Sequence, residues 1–381
     1  MQIADFKLER YFARWEFAAT HLLCSSDVES YRMHDLLTLA DDEGRELWQN
    51  LTLGYTEYPG HPLLHKEIAR LYQSVQADEI FTFAGAQEAI FVFMHALLNK
   101  GDHVIATWPG YQSLYSIAQS LGAEVTLLPL KAESGWELDL QELRRALRPS
   151  TRLIVVNFPH NPTGALPDAR TFSALLALAE EANAYLFSDE VYRLLEYHPD
   201  DQLPAAVDCS RRAISLGVMS KAFGLPGLRI GWLATHDADL LRRVSSLKDY
   251  TSICNSAPSE ILALIALRAK EQVLVRNRAI VARNLALLDT FFANYADIFE
   301  WVRPRASSIA FPRLLLDLPI EQFTDALVRQ QGVLLLPGTV YDHPGNHFRL
   351  GFGRANMPSA LNRLELFISK GLHAWKSGCF T

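Results

Sequence analysis

Apolar residues in this chain fall into short runs separated by longer amphipathic stretches. From about residue 62 the pattern predicts strands at Ile80–Phe83, His103–Thr107, Glu124–Leu128, Arg152–Val156, Ala184–Ser188, Ala213–Gly217 and Arg229–Leu233. Helical periodicity runs between them, from Gln87 to Leu98, near Tyr111–Leu121 and from Ala169 to Ala182. A short, wholly apolar strand is buried on both faces, and strands alternating with helices are joined by crossovers. The pattern predicts an α/β protein whose large domain is built on a mostly parallel sheet covered on both sides. A long helical stretch follows at about 257–295, and residues from about 300 to 381 read as a smaller α+β C-terminal unit. Residues 1–45 lack a regular pattern but carry Phe6, Leu8, Tyr11, Phe12, Trp15 and Phe17, which suits a helical arm packed on the body or on a partner subunit. The expected division is 1–45 as arm and part of the small domain, 46–284 as the large domain and 285–381 as the small domain.

Composition narrows the function. At 381 residues and 49% hydrophobic, the chain has enough apolar material for a sizeable core, so disorder is excluded. The net charge of -7 comes without a long run of one sign, which removes electrostatic support for binding nucleic acid or a membrane surface. No apolar run is long enough to span a bilayer, and Met1–Arg10 has no apolar signal core. The four cysteines, Cys24, Cys209, Cys254 and Cys379, are far apart and form no CxxC pair. That argues against a disulfide framework or a metal site and fits a reducing, cytoplasmic setting.

The most informative segment runs from Ser220 to Trp232: Ser-Lys-Ala-Phe-Gly-Leu-Pro-Gly-Leu-Arg-Ile-Gly-Trp. Lys221 is followed by a Gly/Pro-rich turn, and Arg229 stands eight residues on. Pyridoxal 5′-phosphate needs such a pair, an amine for a Schiff base with its aldehyde and a guanidinium for its phosphate. The glycines let backbone pass close to a bulky ring. Gly85-Ala86-Gln87 lies between a strand and a helix, where free amides face outward and a phosphate fits. Tyr111, after the next strand, is placed to stack on a flat ring. Asn161, in the rigid Asn157–Gly164 turn, can donate to the cofactor's phenolate oxygen, as can Tyr192. Asp189 can keep the pyridine nitrogen protonated, the condition for an electron sink. Taken alone, Asp189 reads as a helix N-cap and Tyr111 equally as a core tyrosine.

In order and spacing these motifs resemble, over nearly the whole chain, the class I/II aminotransferases of the aspartate-aminotransferase-like fold type I. The resemblance implies a PLP-dependent enzyme acting on an L-amino acid through a Cα carbanion, with transamination as the first expectation. It implies that Lys221 is the Schiff-base lysine and proton shuttle, Asp189 the pyridine-nitrogen partner, and Asn161 and Tyr192 the phenolate partners. Tyr111 takes the stacking position. The Ala86 and Gln87 amides, beside Gly85, join Ser220 and Arg229 as phosphate ligands. Tyr55 resembles the tyrosine that reaches a partner subunit's phosphate, which implies a homodimer. Arg349 resembles the arginine that clamps the substrate α-carboxylate. Three positions depart from the pattern: Val218 stands where Ser or Thr is common, Arg305–Ile309 replaces a Gly-Gly turn, and His65 stands for an arginine.

A narrower resemblance rests on Glu9–Phe12, Asn157–Gly164, Lys221–Trp232, Pro304-Arg305 and Ala310–Arg313. These are similar to the capreomycidine synthase and enduracididine cyclase group, which keeps the fold but cyclises a hydroxylated arginine by elimination and ring closure. Elimination or cyclisation is therefore the alternative reaction. Of the acidic residues Glu9, Asp27 and Glu29 in the N-terminal segment, each alone reads as solvated surface, and any that faces the site, Glu9 first, is a candidate for a cationic substrate side chain. A PLP-sensing transcription regulator is a third reading, but no basic helix-turn-helix precedes residue 30.

Overall fold

A computed structural model describes residues 2–376, and Cys379 lies outside the described residues. Seven strands form one sheet in the order 80–83, 231–234, 213–218, 185–189, 151–157, 103–108, 124–129. Only 231–234 runs antiparallel to its neighbours; the other pairs are parallel. The expected α/β architecture with a mostly parallel sheet is the one observed.

The strands are apolar throughout because both faces are buried. Successive side chains alternate across a strand, and the register aligns them into rows. Ala106, Val155, Phe187 and Ile214 face one core; Ile105, Ile154, Leu186 and Ala213 face the other. Phe93, on the helix Ala86–Leu97, packs against Phe187 with ring centroids 4.5 Å apart. Topology then collects the chemistry. The carboxyl ends of six strands and the amino end of 231–234 share one edge of the sheet, where ligands gather in open α/β folds.

Three expectations change. The strand expected at 229–233 begins at Gly231; Arg229 ends a short turn, Pro226–Leu228, with φ 52°, and its guanidinium comes back to Gly85. The helical stretch 257–295 is two helices, Ala257–Arg268 and Lys270–Asn294, broken at Ala269. The first 45 residues are more ordered than their pattern implies. They hold helices Lys7–Trp15 and Met33–Leu37, and His21–Leu22 pairs in parallel with Val333–Leu334. A two-residue strand leaves no periodicity to read.

The C-terminal part contains a three-stranded sheet in which Phe348–Gly351 lies between Ile309–Ala310 and Leu336–Pro337. Helices Ile320–Gln331 and Met357–Lys376 accompany it. Residues 23–28 lie against this sheet. A Cβ at Gly351 would stand 1.9 Å from the Ser25 carbonyl oxygen, so only glycine permits that approach. Among the described residues no helix is long and apolar enough to cross a membrane, and no group of three or more His, Cys, Asp or Glu could hold a metal ion.

Candidate active site

A cavity of about 400 Å³ opens at the sheet edge. Ala86, Gln87, Tyr111, Asn161, Asp189, Tyr192, Ser220, Lys221, Arg229, Arg349 and Glu9 all line it. Gly85 stands directly behind Arg229. Tyr55 is not among the lining residues and is 91% exposed.

The floor of the cavity is polar. Lys221 Nζ donates to Ser26 Oγ at 2.7 Å. Burial pushes its ammonium down to about 8, aided by Arg349 and Arg229 and opposed by Asp27 and Asp189. Asp189 closes the strand Tyr185–Asp189 and is 4% exposed. Its Oδ1 accepts from the Val191 amide at 3.2 Å, and its carbonyl accepts from Asn157 Nδ2 at 2.8 Å. Burial pushes its carboxyl up to about 7, against the Val191 hydrogen bond and Lys221. A carboxyl held there is a base strong enough to keep a proton on a neighbouring ring nitrogen. The Tyr192 hydroxyl is buried and makes no well-formed hydrogen bond among the described residues. Leaving such a group unpaired costs about 1–3 kcal/mol, which an incoming acceptor would recover.

The far side of the floor is an anion cradle. Gly85, at φ 89°, precedes the helix Ala86–Leu97, whose first amides face outward. A Cβ at Gly85 would stand 2.5 Å from Arg229 Nη2, so glycine is what admits the guanidinium. Glu88 Oε2 accepts the Ala84 amide at 2.6 Å and fixes the turn. Helix end, guanidinium and the Ser220 position suit a phosphate. An unpaired phenol, a buried proton acceptor and a lysine poised near neutrality suit a pyridoxal ring. The residues present therefore fit pyridoxal phosphate.

The opposite wall comes from the two ends of the chain. Arg349 is 2% exposed, yet its hydrogen bonds go to the Cys24 carbonyl (3.1 and 2.9 Å), the Tyr341 hydroxyl (2.7 Å) and Asn161 Oδ1 (3.3 Å), and among the described residues none goes to a carboxylate. A buried guanidinium without a counter-charge is a site for one. The arm helix is tied across the mouth by Lys7 to Asp342, Tyr11 Oη to the Leu335 carbonyl at 3.0 Å, and the Lys7 amide to Gln112 Oε1 at 3.0 Å. Phe6 packs on Tyr111 with ring centroids 5.1 Å apart, so Tyr111 is held from the arm side.

Glu16 and Arg354 escaped the sequence reading and line the cavity with Glu9, Phe12 and Asp27. The spacing 9, 12, 16 is one helical face, a signal that was available once 7–15 is treated as a helix. Burial raises the Glu16 carboxyl, as do Glu9 and Asp27 nearby. Asp27 is paired with Arg354 at 2.8 Å. Glu29 does not line the cavity; it accepts the Ala355 amide at 2.8 Å. Tyr341 and the Cys24 carbonyl carry no signal in sequence. His65 braces a turn through Ala77 and Pro59 carbonyls, at 3.1 and 3.0 Å.

The family model for aminotransferase class I and II matches residues 23–364, and the chain belongs to that family. Capreomycidine synthase from Streptomyces vinaceus is 32% identical over 355 residues, covering 92% of this chain and 88% of that protein. Among solved structures, a PLP-dependent aminotransferase from Streptococcus suis superposes with a TM-score of 0.91 at 32% identity, covering 97% of this chain and 99% of the other. The PLP-dependent cyclase OrfR superposes with a TM-score of 0.89 at 27% identity, covering 97% and 98%. The fold is fold type I, and the cofactor is pyridoxal 5′-phosphate.

Proposed function

We propose that this chain is an aminotransferase for an L-amino acid whose side chain is cationic. One observation carries the reading: Lys221, Asp189 and an uncompensated Arg349 converge on one cavity. Arg349 receives the α-carboxylate, which supplies the missing counter-charge. Its fixed position between the Cys24 carbonyl and Tyr341 sets the orientation of Cα. Lys221, brought near neutrality by burial, takes the proton from Cα and returns it to the carbon where the amino group is exchanged. The bound cofactor supplies the electron sink for the pair left at Cα. With the cofactor bound, Asp189 would keep the proton on the pyridine nitrogen, Asn161 and Tyr192 would serve the phenolate oxygen, and Tyr111 would stack on the ring. Ser220, Arg229 and the amides after Gly85 would hold the phosphate. Glu9 and Glu16 at the mouth favour a positive side chain.

A second reading shares every step up to the loss of the Cα proton. The electron pair then expels a leaving group from the side chain, and the side chain closes a ring. The acidic mouth and the similarity to capreomycidine synthase and OrfR favour it. The cofactor recovered after one turnover separates the two. With L-arginine, transamination yields pyridoxamine phosphate and a 2-oxo acid. With 3-hydroxyarginine, cyclisation yields pyridoxal phosphate and a product lighter by one water. Pyridoxal phosphate recovered unchanged, with no product from either substrate, would refute both.

Tyr55 is exposed, and we read it as serving the cavity of a second copy. A fully active monomer by sedimentation would remove that part.

A further inference from the structure

Ser26 belongs to none of the cofactor motifs, yet its hydroxyl is the acceptor for Lys221 Nζ, at 2.7 Å. It lies on the segment 23–28, which the C-terminal sheet grips from behind. Ser308 Oγ donates to the Ser26 carbonyl at 3.0 Å, the Gly351 amide donates to the Leu23 carbonyl at 3.0 Å, and the Glu29 amide to the Gly353 carbonyl at 2.9 Å. At Gly353 a Cβ would meet the Asp27 carbonyl oxygen at 2.3 Å. Ser26 is thus presented to Lys221 by a backbone with little freedom. Lys221 Nζ also stands 5.7 Å from the centroid of the Tyr192 ring.

We propose that Ser26 is a positioning residue for the proton transfer performed by Lys221. The inference rests on the reading of Lys221 as the base. A neutral amine has two N–H bonds and one lone pair. Holding one N–H on Ser26 Oγ restricts where the lone pair points, and Arg349 restricts where the substrate Cα stands. The Cα–H bond breaks, its proton joins the Nζ lone pair, and the bonding electrons stay on Cα. The resulting ammonium keeps its hydrogen bond to Ser26 while it waits to return the proton. Without the hydroxyl, the amine rotates freely and the fraction of time in a reactive orientation falls.

The test uses the full chain loaded with pyridoxal phosphate, as wild type, Ser26→Ala and Ser26→Thr. Loss of the Cα hydrogen of L-arginine into deuterated water, and of the Cα deuterium of the labelled substrate into ordinary water, is followed by NMR. Cofactor absorbance and its retention on gel filtration are measured on the same samples. Ser26→Ala is expected to slow exchange by about tenfold, to enlarge the isotope effect, and to leave KM, absorbance and retention unchanged. Ser26→Thr, which keeps the hydroxyl, is expected within about twofold of wild type. A wild-type rate in Ser26→Ala overturns the proposal. So does an equal loss in both variants together with weakened cofactor retention, the mark of a structural role alone. Exchange with L-alanine but not L-arginine in the wild type defeats the cationic-substrate reading instead, and the Ser26 comparison is then made on alanine.

Discussion

The two walls of the cavity are built in different ways. The cofactor wall comes from turns that directly follow strands of one sheet, at 85–87, 157–161, 189–192 and 220–229. Each turn carries its own chemistry, and the parallel topology alone brings them to one edge. The substrate wall comes from the arm, residues 23–28 and 341–354, paired across more than three hundred residues. Its carboxylates and guanidiniums are held by the small C-terminal sheet and the arm helix. A wall built this way can be changed while the other is kept, and the same fold occurs in a relative named as an aminotransferase and in one named as a cyclase.

Asp189 is the strongest point at which to break this comparison. Asp189→Asn should lower turnover by about 10²–10⁴-fold, because the amide cannot hold a proton on the ring nitrogen. The effect on the cofactor-free protein should be opposite. The folded carboxyl is raised to about 7, so its protonated form favours folding fully below the ordinary carboxylate range, and that contribution is lost as pH rises through about 7. The asparagine variant should melt with wild type at pH 4 and above it at pH 8. A variant that melts lower at pH 8 would show that the carboxylate is paired rather than penalised.

On the substrate wall the effects should be smaller and selective. Arg349→Ala should raise KM by about 10- to 100-fold, the worth of a charge-assisted pair, while the cofactor stays bound. Glu16→Gln should raise KM for arginine by only about two- to fivefold, since the carboxylate is half-exposed, and should leave alanine untouched. Loss of cofactor in either variant would mean that the two walls are not separable. Equal effects of Glu16→Gln on arginine and alanine would remove the cationic side chain from the reading.

Much of this was legible in the chain itself. Wholly apolar runs such as Leu153–Val156 declare strands buried on both faces, and their alternation with helices dictates a parallel sheet. Lys221 and Asn161 could be singled out because each stands in a turn whose Gly, Pro or Asn content is local to it, whereas Asp189 reads alone as a helix cap and stood out only in company with them. The left-handed turn at Arg229 was not visible, since Leu-Arg-Ile-Gly-Trp has the apolar pattern of a strand; what decides it is the room that Gly85 leaves for the guanidinium. Ser26, Tyr341 and the Cys24 carbonyl were beyond reach for a related reason. A serine, a tyrosine or a backbone carbonyl has no signature of its own. It acquires a role only when a distant segment, here the strand Phe348–Gly351, fixes it within hydrogen-bonding distance of Lys221 or Arg349. Local pattern determined the frame and the cofactor, because both follow from residues near in sequence. Tertiary packing decided the substrate wall, because hydrogen bonds and charge pairs act over a few ångströms of space, whatever the separation along the chain.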